Sequence, residues 1–336
     1  MKLRIVVHLG KILHDWVSNL ALINNNLLKL LQETAKKYMD PKAEVLSIES
    51  TPISMGSQAV ELMRHSVLIK VLDETSKLSL VSKYATRIER QVLTRLYSQR
   101  ASVPFSYSDG SELDERFLIC IQDVDYQTNY RNINVRLLQK SETKALSYIH
   151  ASNFGQRREL SWLPEVDSLH IEKMIYERWK PQWQAAKRNE QFIDIFGDYI
   201  PFVEAVANTI FEDIQHLIND ESSQALIHND LNPGNVLVHN NTDVLFIDWE
   251  EARYGSLFLD IPLRCGTSEQ IEDYKGLLAD KSIEFSYDHF NQMYAIASRY
   301  LGLRYMSWNL GAWTSNSHAK DDLKKYLDMV VGTSPT

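Results

Sequence analysis

Four polar residues at fixed spacing form the part of this sequence that could carry out chemistry. His228, Asp230 and Asn235 lie in one short polar segment, and Asp248 follows two apolar runs later. Apolar runs that end in a polar group are typical of short buried strands. Carboxylate and amide oxygens are the ligands that Mg²⁺ prefers in proteins. The sequence therefore predicts a magnesium site to which Asp230, Asn235 and Asp248 contribute.

The segments around these residues indicate how their side chains would meet. Asn240 and Asn241 separate the apolar run after the polar segment from the run that ends at Asp248. Asparagine tolerates the left-handed backbone of tight turns, so the two runs are predicted to form a β-hairpin. Together with the apolar run before His228, this hairpin would form a small sheet with the oxygen-bearing side chains at one end.

The order His-x-Asp-x-x-x-x-Asn, followed by a later Asp, resembles the catalytic loop and metal-binding Asp of the protein-kinase-like fold. Pro233 and Gly234 before Asn235, Ile-Asp-Trp-Glu at 247–250 and the segment 254–260 make the chain similar to the aminoglycoside phosphotransferase family of small-molecule kinases. The resemblance implies an α+β, two-lobed protein-kinase-like fold, with a small β-rich N-lobe and a larger, mainly helical C-lobe. It also implies ATP or GTP and Mg²⁺ as cofactors.

The resemblance assigns roles to the polar residues. Asp230 would orient the acceptor hydroxyl and take its proton, and His228 would brace the loop. Asn235 and Asp248 would hold Mg²⁺ against the phosphates.

Three further positions are expected to support the loop or to alter it. Asp260 would be structural and would bind the main chain of the loop. His150, on a helix predicted for 137–151, is expected to pack or form hydrogen bonds rather than catalyse. Asn229 stands where the family more usually has Gly, which places a side chain on the acceptor side of the loop.

A turn of small residues near the N-terminus is predicted to contact the nucleotide phosphates. It lies between two predicted strands, and in the family such a turn offers main-chain N–H groups to the phosphates. Ser54, Gly56 and Ser57 are the residues assigned to it. All three are also common turn formers, so a turn without a ligand is the alternative.

A lysine on the next predicted strand is expected to contact the α- and β-phosphates. Lys83 lies on a strand at 77–85, and the following helix carries Glu89, which would pair with it. Lys70 is the alternative for this role. We prefer Lys83 because the short path to an acidic helix resembles the arrangement in the family.

The length of the chain, 336 residues, predicts two domains or lobes. We expect a helical extension at 1–40, an N-lobe at 41–124 and a C-lobe at 125–336. The resemblance implies a hinge that binds adenine through main-chain atoms near Gln122 and Val124.

The composition excludes several classes of protein. The formal net charge is −8, with 36 basic and 44 acidic residues and no basic stripe, so nucleic acid is not an expected partner. No stretch is long and apolar enough to span a membrane, and the N-terminus lacks the features of a signal peptide. Because only two cysteines occur, a reduced, cytoplasmic location is the simple inference.

The acceptor is left open by the sequence. An aminoglycoside or another antibiotic, with resistance as the consequence, stands beside a metabolite such as choline, methylthioribose or a sugar. An acidic protein suits a cationic acceptor, and Asp194, Asp198 and Glu204 could attract one or simply face water. From another class, the chain could be a nucleotide-binding regulatory module without turnover. Both a monomer and a dimer fit the sequence.

Overall fold

The computed structural model describes residues 25–53, 62–110, 114–124 and 133–332. The chain divides into two compact units, one from residues 1–97 and 103–127 and the other from 98–102 and 128–336. Ser54, Gly56 and Ser57 of the predicted phosphate turn lie outside the described residues, as do residues 1–24 of the predicted extension. The lobe boundaries given above stay a prediction.

Within its described residues, the first unit is an antiparallel five-stranded sheet with two helices. Its strands run in the order β1-β2-β3-β5-β4. The elements are helix α1 at 25–38, β1 Glu44–Pro52, β2 Met63–Val71, β3 Glu74–Thr86, α2 Arg87–Ser98, β4 Ser106–Tyr107 and β5 Arg116–Gln122.

Apolar residues on one face of this sheet pack against helix α1. Leu30 and Leu31 of α1 belong to the same buried cluster as Val67, Ile69 and Leu80 of the sheet. Alternate residues of a strand point to opposite faces, so the apolar positions of β2 and β3 fall on one side. Helix α1 is therefore part of the core of this unit.

The second unit is mainly helical and carries two small β-ladders. Residues 168–186 form one continuous helix with a π-helical segment in its middle. The elements are α3 Val135–Ser152, α4 Ser168–Glu172, the π segment Lys173–Trp179, α5 Lys180–Ala186, α6 Glu190–Phe196, α7 Ile200–Ile218, β6 Gln224–Ile227, β7 Val236–His239, β8 Asp243–Phe246, β9 Arg253–Ser256, α8 Ile261–Arg264, α9 Ser268–Ala279, α10 Tyr287–Ala312 and α11 Ser317–Val331. Within the described chain, every helix is too short or too polar to cross a membrane.

The predicted hairpin is present, but the predicted small sheet is wrong. Strands β7 and β8 pair in antiparallel register, and Asn240 and Asn241 form their turn with φ of 52° and 64°. Strand β6 instead pairs with β9, so two separate two-stranded ladders flank the polar segment. Strand pairing over such a distance depends on tertiary packing, which the apolar pattern does not encode.

The close packing of α10 and α11 fixes the position of α10 in this unit. A Cβ atom on Gly302 of α10 would lie 2.8 Å from the carbonyl oxygen of Tyr326 and 2.7 Å from Val330 Cγ2. Only glycine permits this approach, because real Cβ atoms do not come so close to neighbouring atoms. Residues one turn further along α10 are thereby held at a defined distance from α11.

Candidate active site

The segment between β6 and β7 is a tight loop anchored by a buried carboxylate. Asp260 Oδ2 accepts a hydrogen bond from the N–H of His228 at 2.7 Å, and Oδ1 accepts one from the N–H of Asn229 at 2.9 Å. Asn229 has φ of 61°, a left-handed conformation that asparagine adopts more readily than most residues. The loop therefore turns sharply at Asn229, immediately before Asp230.

Asp260 is held in its charged form by the groups around it. Its side chain is fully buried, and burial alone would raise its pKa. The hydrogen bond from His150 Nε2, at 3.2 Å, and those from the loop outweigh burial, so the pKa of Asp260 is lowered. The other ring nitrogen of His150 lies 2.6 Å from the hydroxyl of Tyr274. His150 thus supports the loop through Asp260, in line with its expected non-catalytic role.

Both ring nitrogens of His228 are engaged in the loop. Nε2 donates to the carbonyl oxygen of Ile247 at 2.8 Å, and Nδ1 accepts from the N–H of Asp230 at 3.3 Å. The ring is fully buried and lies against Trp249, with 4.4 Å between the ring centroids. A histidine with both nitrogens occupied can brace the loop but has no free nitrogen for moving protons.

The carboxylate of Asp230 is held mainly by a residue from α10. Its Oδ1 accepts a 2.8 Å hydrogen bond from the hydroxyl of Tyr305. Its Oδ2 has only two longer contacts, each 3.3 Å, from the side-chain amides of Asn232 and Asn235. Asp230 is partly exposed. One carboxylate oxygen is therefore fixed, while the other can receive a further hydrogen bond.

Asn235 and Asp248 lie close together because their strands are paired. The N–H of Ile247, the residue before Asp248, donates to the carbonyl oxygen of Asn235 at 3.0 Å. The side-chain N–H₂ of Asn235 donates to the carbonyl oxygen of Asp230 at 2.7 Å, so its amide oxygen does not make this bond and can serve as a ligand. Asp248 has φ of 65° and ψ of 59°. Such strained positions concentrate at functional sites.

This donor set fits magnesium bound together with phosphates. Among the described residues, three or more His, Cys, Asp or Glu side chains do not cluster in a way that could hold a metal ion on their own. Mg²⁺ in nucleotide sites needs only one or two protein oxygen ligands, because phosphates and water supply the rest. One carboxylate and one amide oxygen, from Asp248 and Asn235, meet that requirement.

The side chain of Asn229 links the loop to a buried arginine. Arg304 Nη1 donates to Asn229 Oδ1 at 2.8 Å, and Asn229 Nδ2 donates to the carbonyl oxygen of Glu251 at 3.1 Å. The same Nδ2 lies 3.4 Å from His170 Nε2. The Asn229 side chain therefore contacts Arg304, His170 and the main chain of Glu251 beside the loop.

Tyr305 and Arg304 are the site residues that sequence reasoning did not identify. Both lie on α10 in the tract 300–313, whose aromatic and apolar residues by themselves indicate only a buried core or one wall of an acceptor pocket. The charge of Arg304 gives a weak signal that this residue has a specific role, because an arginine in an apolar helix usually has a specific partner. Their partners are 75 residues away in sequence, so spacing could not reveal them.

In the first unit, the predicted lysine and glutamate form an ion pair. Lys83 Nζ lies 2.7 Å from Glu89 Oε1, and the Glu89 side chain is 1% exposed. Thr86 Oγ1 accepts from the N–H of Glu89 at 3.2 Å, so it caps α2 and fixes where Glu89 lies. Lys70 lies on β2 opposite Glu44 and Thr75, and no ion pair is described for it. This geometry favours Lys83 over Lys70.

The residues proposed for the hinge lie at the end of β5. The N–H of Gln122 donates to the carbonyl oxygen of Phe105 at 2.9 Å, and its side-chain oxygen accepts from the N–H of Phe105 at 3.4 Å. Val124 is buried two residues further on. With the N–H of Gln122 occupied, Val124 is the better placed of the two to offer main-chain atoms to adenine.

The acidic residues considered for a cationic acceptor do not gather around the loop. Asp194 and Asp198 are exposed. Glu204 forms an ion pair with Lys187 and accepts from Trp183 Nε1 at 2.7 Å. A carboxylate that already has two partners is a poor site for a further cation.

Comparisons with known proteins show the family and the fold of this chain. The sequence profile of the phosphotransferase enzyme family matches residues 83–272. A choline kinase from Cryptosporidium parvum shares 15% identity and a TM-score of 0.55, covering 91% of this chain and 95% of its own. A spectinomycin phosphotransferase solved with ADP and spectinomycin is 14% identical, with a TM-score of 0.53. The match covers 89% of this chain and 93% of that protein. A choline kinase from Streptococcus pneumoniae shares 13% identity and a TM-score of 0.51, covering 91% and 99%.

No protein of curated function matches the sequence. At the identities of the solved structures, their likeness establishes the fold. It confirms the predicted α+β, protein-kinase-like fold class.

Proposed function

This chain belongs to the phosphotransferase enzyme family, and on that premise we propose that it transfers the γ-phosphoryl group of ATP or GTP to a hydroxyl of a small molecule. The observation that carries the proposal is the carboxylate of Asp230. One of its oxygens is fixed by Tyr305 at 2.8 Å, and the other is left for an acceptor. A positioned carboxylate next to a metal-binding pair is the arrangement that phosphoryl transfer requires.

The first unit would bind the nucleotide. The ion pair between Lys83 and Glu89 holds the ammonium group in one orientation, as needed for contact with phosphates. The turn with Ser54, Gly56 and Ser57 is proposed to cover the phosphates. Support for a nucleotide comes from the spectinomycin phosphotransferase, which was solved with ADP.

Asn235 and Asp248 would hold Mg²⁺, since they offer hard oxygen donors on neighbouring strands. When bound, the ion supplies charge that offsets the phosphate oxygens and orients them. Main-chain contacts hold Asn235: its carbonyl oxygen accepts from the N–H of Ile247, the residue before Asp248, and its side chain donates to the carbonyl oxygen of Asp230.

Asp230 would act on the acceptor hydroxyl. Oδ2 accepts the hydrogen bond of the hydroxyl, which aligns its oxygen with the phosphorus, and takes the proton late in transfer. Oδ1 stays bonded to Tyr305, so the carboxylate does not rotate during this step. His228 keeps the loop in shape and exchanges no proton, because both of its nitrogens are bonded.

The test is ADP or GDP release by the purified protein with a panel of hydroxyl compounds that includes antibiotics, choline and sugars. Asp230→Asn should lower kcat on the best acceptor by on the order of 10² to 10⁴ while nucleotide affinity stays within a few fold. The matched control is Asp273→Asn, which changes an exposed aspartate on α9. Nucleotide binding without release of diphosphate on any acceptor would instead favour a regulatory module and end the proposal.

A further inference from the structure

Two arginines next to the catalytic loop, one buried and one partly exposed, form no ion pair with a carboxylate in the described chain. Arg304 is 8% exposed and Arg253 is partly exposed. In the described chain, neither guanidinium has a carboxylate oxygen within 4.0 Å. By contrast, the guanidinium of Arg264 in the same unit is paired with Glu142. An unpaired charge removed from water is costly, so its presence needs a reason.

Donor groups without acceptors lie among these charges. The Nε atom of Arg253 is buried and makes no hydrogen bond within the described chain, although Nη1 donates to the carbonyl oxygen of Glu165 at 3.2 Å. The hydroxyl of Tyr300, one helical turn before Arg304, is also buried, and because Arg304 can only donate to it, its own proton has no acceptor within the described chain. Guanidinium groups carry only donors, so a ligand rich in acceptor oxygens would satisfy this group.

Four positively charged side chains act on His170 beside the loop. Burial and then the charges of Arg253, Arg304, Arg178 and Lys173 lower the pKa of His170 to about 3. His170 therefore stays neutral and accepts the hydrogen bond from Asn229. The carboxylates that act on Arg253 and Arg304 are Glu251, Asp167 and Asp230. Of these, Asp167 caps α4, and Asp230 is assigned to the acceptor hydroxyl.

Several side chains around the loop are accessible to solvent. Asp230, Glu251, Arg253 and Tyr305 are all partly exposed. Tyr305 contacts Asp230 directly, and Arg304, the residue before it, contacts Asn229. The residues that contact the loop, Arg304 and Tyr305, are consecutive on α10. The residues that they contact, Asn229 and Asp230, are consecutive in the loop.

We propose that the acceptor carries an anionic group, a carboxylate or a phosphate, which binds to Arg253 and Arg304 while its hydroxyl meets Asp230. The inference rests on the proposed phosphoryl transfer and specifies the class of acceptor. Arginine suits this role because its planar, permanently charged group binds carboxylate and phosphate oxygens in pairs. Asn229, in place of glycine, orients Arg304 toward the loop.

The first arm of the test measures binding without turnover. Thermal unfolding is followed in inorganic phosphate, succinate and chloride at equal ionic strength. Phosphate, succinate or both should raise the Tm of the wild type above its value in chloride, and Arg253→Gln should weaken the apparent affinity at least tenfold. Arg188→Gln, an exposed arginine in the same unit, is the matched control and should bind as the wild type does.

Further variants separate this site from the nucleotide site and from misfolding. In Lys83→Met, the anions should raise the Tm as much as they do in the wild type. If the rise in Tm is lost in this variant alone, the anion binds in the nucleotide site and the proposal is overturned. Arg304→Lys keeps the charge but not the paired donors, so it should weaken binding without unfolding the protein. Anion stabilisation that is absent, or that survives in Arg253→Gln, would also overturn the proposal.

The second arm compares one scaffold in different charge states. Glucosamine, glucose, gluconate and glucose 6-phosphate are tested as acceptors, together with further hydroxy acids and sugar phosphates. Anionic compounds should give the higher kcat/KM for diphosphate release, and the preference should fall at least tenfold in Arg253→Gln. Transfer confined to neutral or cationic acceptors overturns the proposal and leaves phosphoryl transfer intact. Absence of transfer to any compound instead refutes the proposed function. The thermal-unfolding measurements of the first arm then still test whether the anion site exists.

Discussion

The hydrogen bond from Tyr305 to Asp230 should control turnover more than stability. Tyr305→Phe removes one hydroxyl and leaves the ring, which also lies 5.8 Å from the Tyr326 ring and near the Arg304 guanidinium. The lost bond is 2.8 Å long and ends on a carboxylate, a class that contributes about 1.5 to 3 kcal/mol. Asp230 retains only two contacts of 3.3 Å, which are too long to replace it.

If the bond serves to position Asp230, its loss should lower kcat by about 10- to 100-fold, since each 1.4 kcal/mol corresponds to about tenfold in rate. The nucleotide contacts are assigned to other residues, so KM for ATP should change by less than about twofold. Initial rates of ADP release with the best acceptor give both values, and urea unfolding gives the stability.

Tyr294→Phe is the matched control for this experiment. Tyr294 lies on the same helix, and its hydroxyl also makes a 2.8 Å hydrogen bond, but to the carbonyl oxygen of Cys265. It should keep normal turnover even if it costs stability. Equal losses of kcat in the two variants, or full turnover in Tyr305→Phe, would refute the positioning role.

Two further predictions concern the groups that support the loop. Asp260→Asn leaves one of the two loop N–H groups without an acceptor, so it should lower the free energy of unfolding by about 3 kcal/mol at pH 7. Urea unfolding measures this loss, with Asp273→Asn as the control variant. A loss below about 1 kcal/mol would contradict the prediction. The pKa of His170 is lowered to about 3, so its contribution to stability is present above pH 6.5 and is lost as the pH falls. Between pH 7.5 and 5.0 the wild type should lose about 2 kcal/mol through this residue. His170→Gln should remove that part of the pH dependence, whereas His318→Gln, at an exposed position, should retain it.

The sequence could predict the hairpin beside the loop because its geometry is local. Asp230, Asn235 and Asp248 lie on consecutive segments whose turn residues, Asn240 and Asn241, force the hairpin. The pairing of Lys83 with Glu89 is local in the same sense, since both lie within one strand and the following helix. Short separations leave few arrangements, and the apolar pattern selects among them.

Other features depend on contacts that sequence separation conceals. Strand β6 pairs with β9 rather than with the hairpin, and Asp260 anchors the loop across about 30 residues. Tyr305 and Arg304 approach the loop because the packing of α10 places them there, with Gly302 allowing close contact with α11. The sequence shows that the tract 300–313 is aromatic and apolar, but it does not show which segment of the chain the tract contacts.

The residue types and spacings of this chain determined the family and the fold class, and they nominate the groups proposed for phosphoryl transfer. Tertiary structure alone decided which oxygen of Asp230 is held and that Arg304 reaches Asn229. The reason is physical: short-range geometry follows from backbone preferences, whereas the partner of a buried polar group is set by the packing of segments distant in the chain.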